Sequence, residues 1–232
     1  EGLPSQYTAG FTTAIPFETI PTKVGYEFKG WSVVDESYIS FADSQVTYAG
    51  TGYRHILTAS YDSSTAKYLC TELLAGCYGN ITLNAEWETI EYTLTLTNSY
   101  MGSISGYDKD NKGTTEISDD TFTLEFTIES SLILPSITRS GYTFAGWKAL
   151  SSSGSWAKDT IYNGECSKAY GTIELEAQWT LNTYTITYSG DGTEDSTSIY
   201  NTESSTTLKG SSEVTREGYT LRGWKVDGEE FD

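Results

Sequence analysis

Side chains that could hold a proton, a metal ion or a nucleophile in place are few in this chain. A Ser-His-Asp or Cys-His centre needs an imidazole base, and the sequence has a single histidine. That residue, His55, sits in Tyr53-Arg54-His55-Ile56-Leu57, a strand-like stretch that predicts a surface or half-buried side chain without a catalytic part. Glycoside hydrolysis needs two carboxyl groups facing each other across a cleft. Glu86 with Glu88 and Asp119 with Asp120 are the nearest such pairs, and each fits the polar side of a strand or turn. The expectation is a protein without enzymatic activity.

Metal and redox chemistry are similarly thin. Asp108-Lys109-Asp110-Asn111-Lys112-Gly113, with Asp119 at the twelfth place, follows the outline of a calcium loop. Lys112 occupies a ligand position and no flanking helices are indicated, so Asp108, Asp110 and Asp119 predict a long hairpin turn first and a weak calcium site second. No other cofactor is expected. The three cysteines are Cys70, Cys77 and Cys166. In an oxidising setting Cys70 and Cys77 are spaced for a local disulfide, with Cys166 left over, although reduced thiols fit equally well. Zinc would want histidines nearby. For ligand stacking, Trp156 in Ser151-Ser152-Ser153-Gly154-Ser155-Trp156 stands on a small-residue loop, and Tyr53, Tyr61 and Tyr68 enrich the region before residue 80. Each is a candidate aromatic contact for a sugar or partner, or a ring folded back on its own sheet.

The elements that must position these residues follow from composition and repetition. With 14 Lys+Arg against 32 Asp+Glu over 232 residues, the net charge is −18. Such a surface is not expected to bind nucleic acid, whose phosphates require basic patches, and no polybasic cluster suits an anionic membrane. No run of about 18 apolar residues exists, so no membrane insertion is expected. Aromatics make up 14% of the chain, enough to predict a packed fold.

A ten-residue string recurs three times. Thr22-Lys23-Val24-Gly25-Tyr26-Glu27-Phe28-Lys29-Gly30-Trp31 returns as Thr138-Arg139-Ser140-Gly141-Tyr142-Thr143-Phe144-Ala145-Gly146-Trp147 and as Thr215-Arg216-Glu217-Gly218-Tyr219-Thr220-Leu221-Arg222-Gly223-Trp224. A second string, Ile81-Thr82-Leu83-Asn84-Ala85-Glu86-Trp87, returns as Ile173-Glu174-Leu175-Glu176-Ala177-Gln178-Trp179. Self-similarity of this kind marks a repeat protein. Trp31 and Trp87 are 56 residues apart whereas Trp147 and Trp179 are 32 apart. The extra residues of the first copy therefore lie inside that interval, and the second copy is expanded near its start.

Period-two alternation in Ile81–Trp87, Ile173–Trp179, Tyr92–Leu96 and Tyr184–Tyr188 predicts strands with one buried face. In Gly-Tyr-x-Phe-x-Gly-Trp the second glycine predicts a bulge that lets Phe144 and Trp147 reach one core despite opposite parity. Only Ser63–Ala75, closed by Gly76, has the cap and periodicity of a helix. The expected fold is mainly β, α+β at most. The expected divisions are a first copy over 1–89 with an insertion at about 32–80, a second over 90–181, and a third over 182–232. The first copy lacks its opening strand and the third its last, which predicts either an excised piece or half-copies that complete each other between molecules. Tyr26, Phe28, Trp31, Trp87, Tyr142, Phe144, Trp147, Trp179, Tyr219 and Trp224 are expected to form the core.

Residues 22–31, 138–147 and 215–224, with the strands at 81–87 and 173–179, resemble the Listeria-Bacteroides repeat family. The resemblance implies small β-grasp, ubiquitin-like units in an extended tandem array on secreted or wall-attached bacterial proteins. It implies an extracellular stalk or adhesion segment, whose partner is a host or neighbouring-cell surface protein, a glycan, or copies of itself. Two alternatives remain: a carbohydrate-binding accessory module of a secreted glycosidase, and a subunit of a self-assembling filament.

Overall fold

The computed structural model describes residues 15–16, 20–34, 38–190, 193, 196–226 and 229–231. Every regular element among them is a strand. The chain divides into two compact bodies, one formed by Glu1–Thr93, Glu125–Leu132 and Ser167–Thr172, the other by Leu94–Leu124, Ile133–Cys166 and Ile173–Asp232. The division cuts across the sequence copies, since the first body takes in residues 125–132 of the second copy.

The first body holds a seven-stranded sheet of β1 (Ile15–Pro16), β2 (Tyr26–Val33), β3 (Tyr38–Ala42), β4 (Gln45–Gly50), β5 (Tyr53–Asp62), β6 (Lys67–Leu73) and β7 (Leu83–Thr89). Its order is β3-β4-β5-β6-β2-β7, with β1 also on β6. The extra residues of the first copy are thus an antiparallel meander, β3 to β6, laid against the repeat strand β2. It builds its own apolar cluster from Val46, Tyr48, Leu57, Ala59, Cys70, Leu73 and Cys77.

The helix expected over residues 63–75 is a hairpin instead. Residues 63–66 turn, with Ala66 at φ 55°, and β6 pairs along β5 from Asp62↔Lys67 to Leu57↔Leu73. Thr71 is an extra residue between the Thr58↔Glu72 and Ala59↔Cys70 pairs. This bulge brings Cys70 and Leu73, three positions apart, into one core. A bulged strand can therefore imitate the spacing of a helix face.

In chain order the remaining strands are β8 (Tyr92–Thr97), β9 (Asp108–Asp110), β10 (Thr121–Phe126), β11 (Ile133–Leu134), β12 (Tyr142–Ala149), β13 (Ile161–Tyr162), β14 (Gly164–Glu165), β15 (Ile173–Leu181), β16 (Tyr184–Thr187), β17 (Thr197–Tyr200), β18 (Trp224–Val226) and β19 (Glu229–Phe231). Six of them form a sheet in the order β13-β12-β15-β8-β10-β9, and three two-stranded antiparallel pairs, β11-β14, β16-β17 and β18-β19, complete the set. Within the six, β12 and β15 are antiparallel while β15 and β8 run parallel.

The repeated strings fold alike. Phe28 faces Trp87 and Trp31 faces Ala85 across β2 and β7; Phe144 faces Trp179 and Trp147 faces Ala177 across β12 and β15. The register shifts at Phe28/Gly30 and at Phe144/Gly146, the bulge that the Gly-Trp spacing predicts. Gly30 (φ 146°) and Gly146 (φ 122°) occupy backbone conformations that side chains rarely tolerate. The phenylalanine then meets both tryptophans, at 5.3 and 5.4 Å in each copy.

Burial corrects the expected core. Trp147 is fully buried at 0% exposure, but Tyr26, Phe28, Trp31, Trp87, Tyr142, Phe144, Trp179 and Trp224 are half-buried, and Tyr219 is 67% exposed. No helix covers these sheets among the described residues, so the rings shield one another edge to face and stay partly wet.

Candidate functional site

His55 is fully buried, not at the surface or half-buried as its sequence setting suggests. It shares the inward face of β5 with Leu57 and Ala59, its ring stacks on Tyr53 at 5.4 Å, and Nε2 lies 3.4 Å from the Gly79 carbonyl oxygen. The carboxylate pairs are separated by their partners. Glu86 is buried while Glu88 is exposed and pairs with Lys29 at 2.9 Å. Asp120 is buried and pairs with Lys109 at 2.7 Å, whereas exposed Asp119 accepts a hydrogen bond from the Thr114 hydroxyl.

The calcium-loop residues are likewise engaged one by one. Asp110 accepts hydrogen bonds from the Lys112 backbone N–H (2.8 Å) and ammonium (2.6 Å), which hold its carboxyl below the usual range. Asp108 lies exposed on β9, and among the described residues no group of three or more His, Cys, Asp or Glu is placed to hold a metal ion.

Cys70 and Cys77 form no disulfide; both are buried free thiols. Each sulfur has turned to a backbone partner, Cys70 donating to the Tyr68 carbonyl and Cys77 accepting from the Ile56 N–H at 3.0 Å. Burial pushes the Cys70 thiol up to about 12 and raises Cys77 as well, which disfavours the nucleophilic thiolate at both. Trp156 is also no open platform. The serine loop closes on itself, with paired hydrogen bonds between Ser153 and Trp156, and the ring packs edge to face on Tyr162 at 5.0 Å, leaving it 3% exposed.

Of the three tyrosines singled out, Tyr53 packs on His55 and the meander core. Tyr61 and Tyr68 come together, with ring centroids 5.3 Å apart on neighbouring strands, and Phe41 stacks on Tyr68 at 4.7 Å. Phe41 belongs to β3, with β4 and β5 between it and β6, so the meander curls enough to bring its ring over. The result is a row Phe41-Tyr68-Tyr61, with Phe41 43% and Tyr61 56% exposed, and Ile39 exposed nearby on β3. A row of partly exposed rings on a rigid sheet can stack on a flat apolar face, whether of a sugar or of a protein partner. Phe41 carried no signal of its own in the sequence; only the curl of the meander assembles it with residues 20 and 27 positions away.

A polar cluster around the buried Glu86 also went unnoticed. Glu86 accepts from Ser32 (2.5 Å), Lys67 (2.6 Å) and Asn84 (3.0 Å). Burial raises its pKa, but the Lys67, Ser32 and Asn84 hydrogen bonds outweigh that and hold the carboxyl below its usual range. The available signal was Glu86 standing where the second copy has Gln178. This cluster ties the meander to β2 and β7.

The family profile of the Listeria-Bacteroides repeat domain matches residues 3–51, 106–166 and 184–231. A protein of Evansella cellulosilytica named "Putative Gly-rich membrane protein" is 23% identical over 227 residues, which cover 96% of this chain. The matched region is 20% of that relative, so the chain spans about a fifth of its length. No solved structure matches the chain. Among the described residues no helix is long and apolar enough to cross a membrane.

Proposed function

Because the chain belongs to the Listeria-Bacteroides repeat family, we propose that it is a non-catalytic, extracellular module of a bacterial surface or secreted protein, combining a stalk with an adhesive surface. The named relative, described as a membrane protein, is compatible with such an address. The repeat frame supplies the stalk: its aromatic residues and bulge glycines serve packing. The adhesive part is the meander. The observation that carries this is the exposed row Phe41-Tyr68-Tyr61 on a sheet that the first copy alone possesses. Insertions into a repeated frame are where a binding role unique to one copy can sit without disturbing the others.

The test is binding of the intact 232-residue chain to arrayed glycans and to extracellular proteins. A Phe41→Ser/Tyr61→Ser double variant, checked for an unchanged far-ultraviolet spectrum and melting temperature, serves as the comparison. The expected outcome is a ligand whose affinity falls at least about tenfold in the double variant, a loss of about 1.4 kcal/mol. Binding that is indifferent to the double variant moves the adhesive surface elsewhere, and no binding at all leaves a stalk alone. The same row favours a second reading, a carbohydrate-binding accessory module. Retention on insoluble polysaccharide without any protein ligand would select it.

A further inference from the structure

The three Gly-Tyr corners are built alike, yet only two are covered. In each, the tyrosine N–H returns to the carbonyl oxygen of the basic residue three positions earlier, at 3.1, 3.1 and 3.0 Å for Tyr26, Tyr142 and Tyr219. In each, that basic side chain lies over the tyrosine ring: Lys23 at 3.5 Å, Arg139 at 3.8 Å, Arg216 at 3.9 Å. The glycines share one left-handed conformation, with φ 78°, 80° and 78° for Gly25, Gly141 and Gly218.

Two corners receive the same object. Ile128 sits against Gly25 so closely that a Cβ there would lie 2.6 Å from its side chain, and the Tyr26 hydroxyl donates to Glu129 at 2.6 Å. Thr202 sits against Gly141 in the same way, and the Tyr142 hydroxyl donates to Glu203. The occupants are tight turns of related sequence, Thr127-Ile128-Glu129-Ser130-Ser131 and Asn201-Thr202-Glu203-Ser204-Ser205. Each is pinned end to end, by Ser130 N–H to the Thr127 carbonyl and by the Ser204 hydroxyl to the Asn201 side chain. A β-branched residue fills the space over the glycine, and the following glutamate takes the tyrosine hydroxyl.

The third corner is open. Among the described residues nothing stands within 4 Å of a Cβ at Gly218, and Tyr219 is 67% exposed with no hydrogen-bond partner for its hydroxyl. Beside it is a cavity of about 240 Å³ lined by Val214, Arg216, Tyr219, Thr220, Leu221 and Arg222. The positive charge of its lining favours a carboxylate nearby. We infer that Gly218-Tyr219 is a preformed docking site for a turn of the type β-branched-Glu-Ser-Ser carried by a further copy of this repeat. Tyr26 and Tyr142 show the geometry of the occupied state. The side chain of the β-branched residue replaces water over the bare glycine, and its size requires that glycine; the glutamate sets the register. The repeat-module reading supplies the occupant, but the inference does not need adhesion to be correct.

The test joins a second copy of residues 148–232 directly after Trp224 of the chain and follows hydrogen exchange of residues 214–222. The expected result is slower exchange there than in the 232-residue chain, reversed when the glutamate of the appended turn is changed (E203A in the appended copy). Unchanged exchange over 214–222, with the appended residues 173–181 protected and therefore folded, overturns the inference and leaves the stalk reading standing. If the appended copy does not fold, a cyclic peptide of the sequence Phe126–Ser131 is added to nitrogen-15-glycine-labelled 232-residue chain. A shift of the Gly218 amide resonance that is lost in Tyr219→Ala supports the site, and no shift up to about 10 mM, a binding free energy weaker than about −3 kcal/mol, overturns it. Concentration-dependent dimers of the 232-residue chain that disappear in Tyr219→Ala would put a second molecule in the corner and also overturn it.

Discussion

The first and second copies of the repeat frame hold the same trio of rings on the same bulge, yet they flank it differently. In the second copy the free edge of β12 carries β13, two residues long, with Tyr162 opposite Trp147. In the first copy the corresponding edge of β2 carries β6, with Cys70 opposite Trp31, and behind β6 stand three more strands. The insertion has thus entered where a minimal strand already sat and lengthened it into a meander with a core of its own. The second copy keeps Trp147 sealed, its indole N–H donating to the Pro135 carbonyl at 2.8 Å. Trp31 is half-buried, and its indole nitrogen has no partner among the described residues. The frame tolerates a large insertion because what defines it, the bulge and the three rings, is local to two strands. Sealing of the central tryptophan is contributed by the neighbours, and it is there that the copies diverge.

Removing each central ring gives the largest expected effect. Trp147→Ala deletes a fully buried indole and strands the Pro135 carbonyl, a loss of about 3–5 kcal/mol. Trp31→Ala deletes a ring already in contact with water, for about 1–3 kcal/mol. Urea unfolding of the two variants reads the difference; equal losses would mean that the meander seals Trp31 as well as the second copy seals Trp147.

The bulge glycines come next. A Cβ at Gly146 would stand 2.5 Å from the Asn163 amide and the Ile161 methyl, whereas one at Gly30 would meet the Leu69 Cβ at 3.0 Å. Both substitutions to alanine bear the strain of positive φ, about 1–2 kcal/mol, and Gly146→Ala adds about 1 kcal/mol of overpacking against β13 and the residue following it. The order of the two midpoints, Gly146→Ala below Gly30→Ala, is the outcome to check. The reverse order would make the wide meander, not the short β13, the stiffer neighbour.

This asymmetry also explains what could be read from residues alone. The bulge was legible because Phe144, Gly146 and Trp147 cannot share a face of a regular strand. The insertion was located because two tryptophan intervals differ while their ends match. The Lys67–Leu73 strand was not legible, since the bulge at Thr71 gave Cys70 and Leu73 the spacing of a helix. Burial was the least legible property. Trp156 stood in a serine-rich loop and is sealed by Tyr162, whereas Tyr219 stood in the repeated string and is open. Local sequence reports the conformation of each corner, but it does not report which distant turn, 61 or 103 positions away along the chain in the covered copies, comes to rest on it.

The smallest expected effect distinguishes the copies by its cause. Glu86 keeps its charge through Lys67, Ser32 and Asn84 although burial opposes it, so its folded pKa lies below the unfolded one. Stability from this group is complete where the unfolded carboxyl is already ionised and drains away as the pH falls through the lower, folded value. Glu86→Gln therefore costs about 1 kcal/mol at pH 7, and its gap to the parent narrows as acid protonates Glu86. At the matching place of the second copy, Gln178 donates to the Glu176 carboxylate at 2.9 Å. Gln178→Glu would set two carboxylates side by side, losing that hydrogen bond and adding repulsion of about 0.5–1 kcal/mol at pH 7, relieved as acid protonates one of them. Guanidinium melts of the two variants at pH 7 and pH 3 read both at once: each gap to the parent narrows in acid, the first because a favourable charge is lost from the parent, the second because an unfavourable one is lost from the variant. The two causes separate in Lys67→Met, which should erase the acid sensitivity attributed to Glu86 while leaving that of Gln178→Glu untouched.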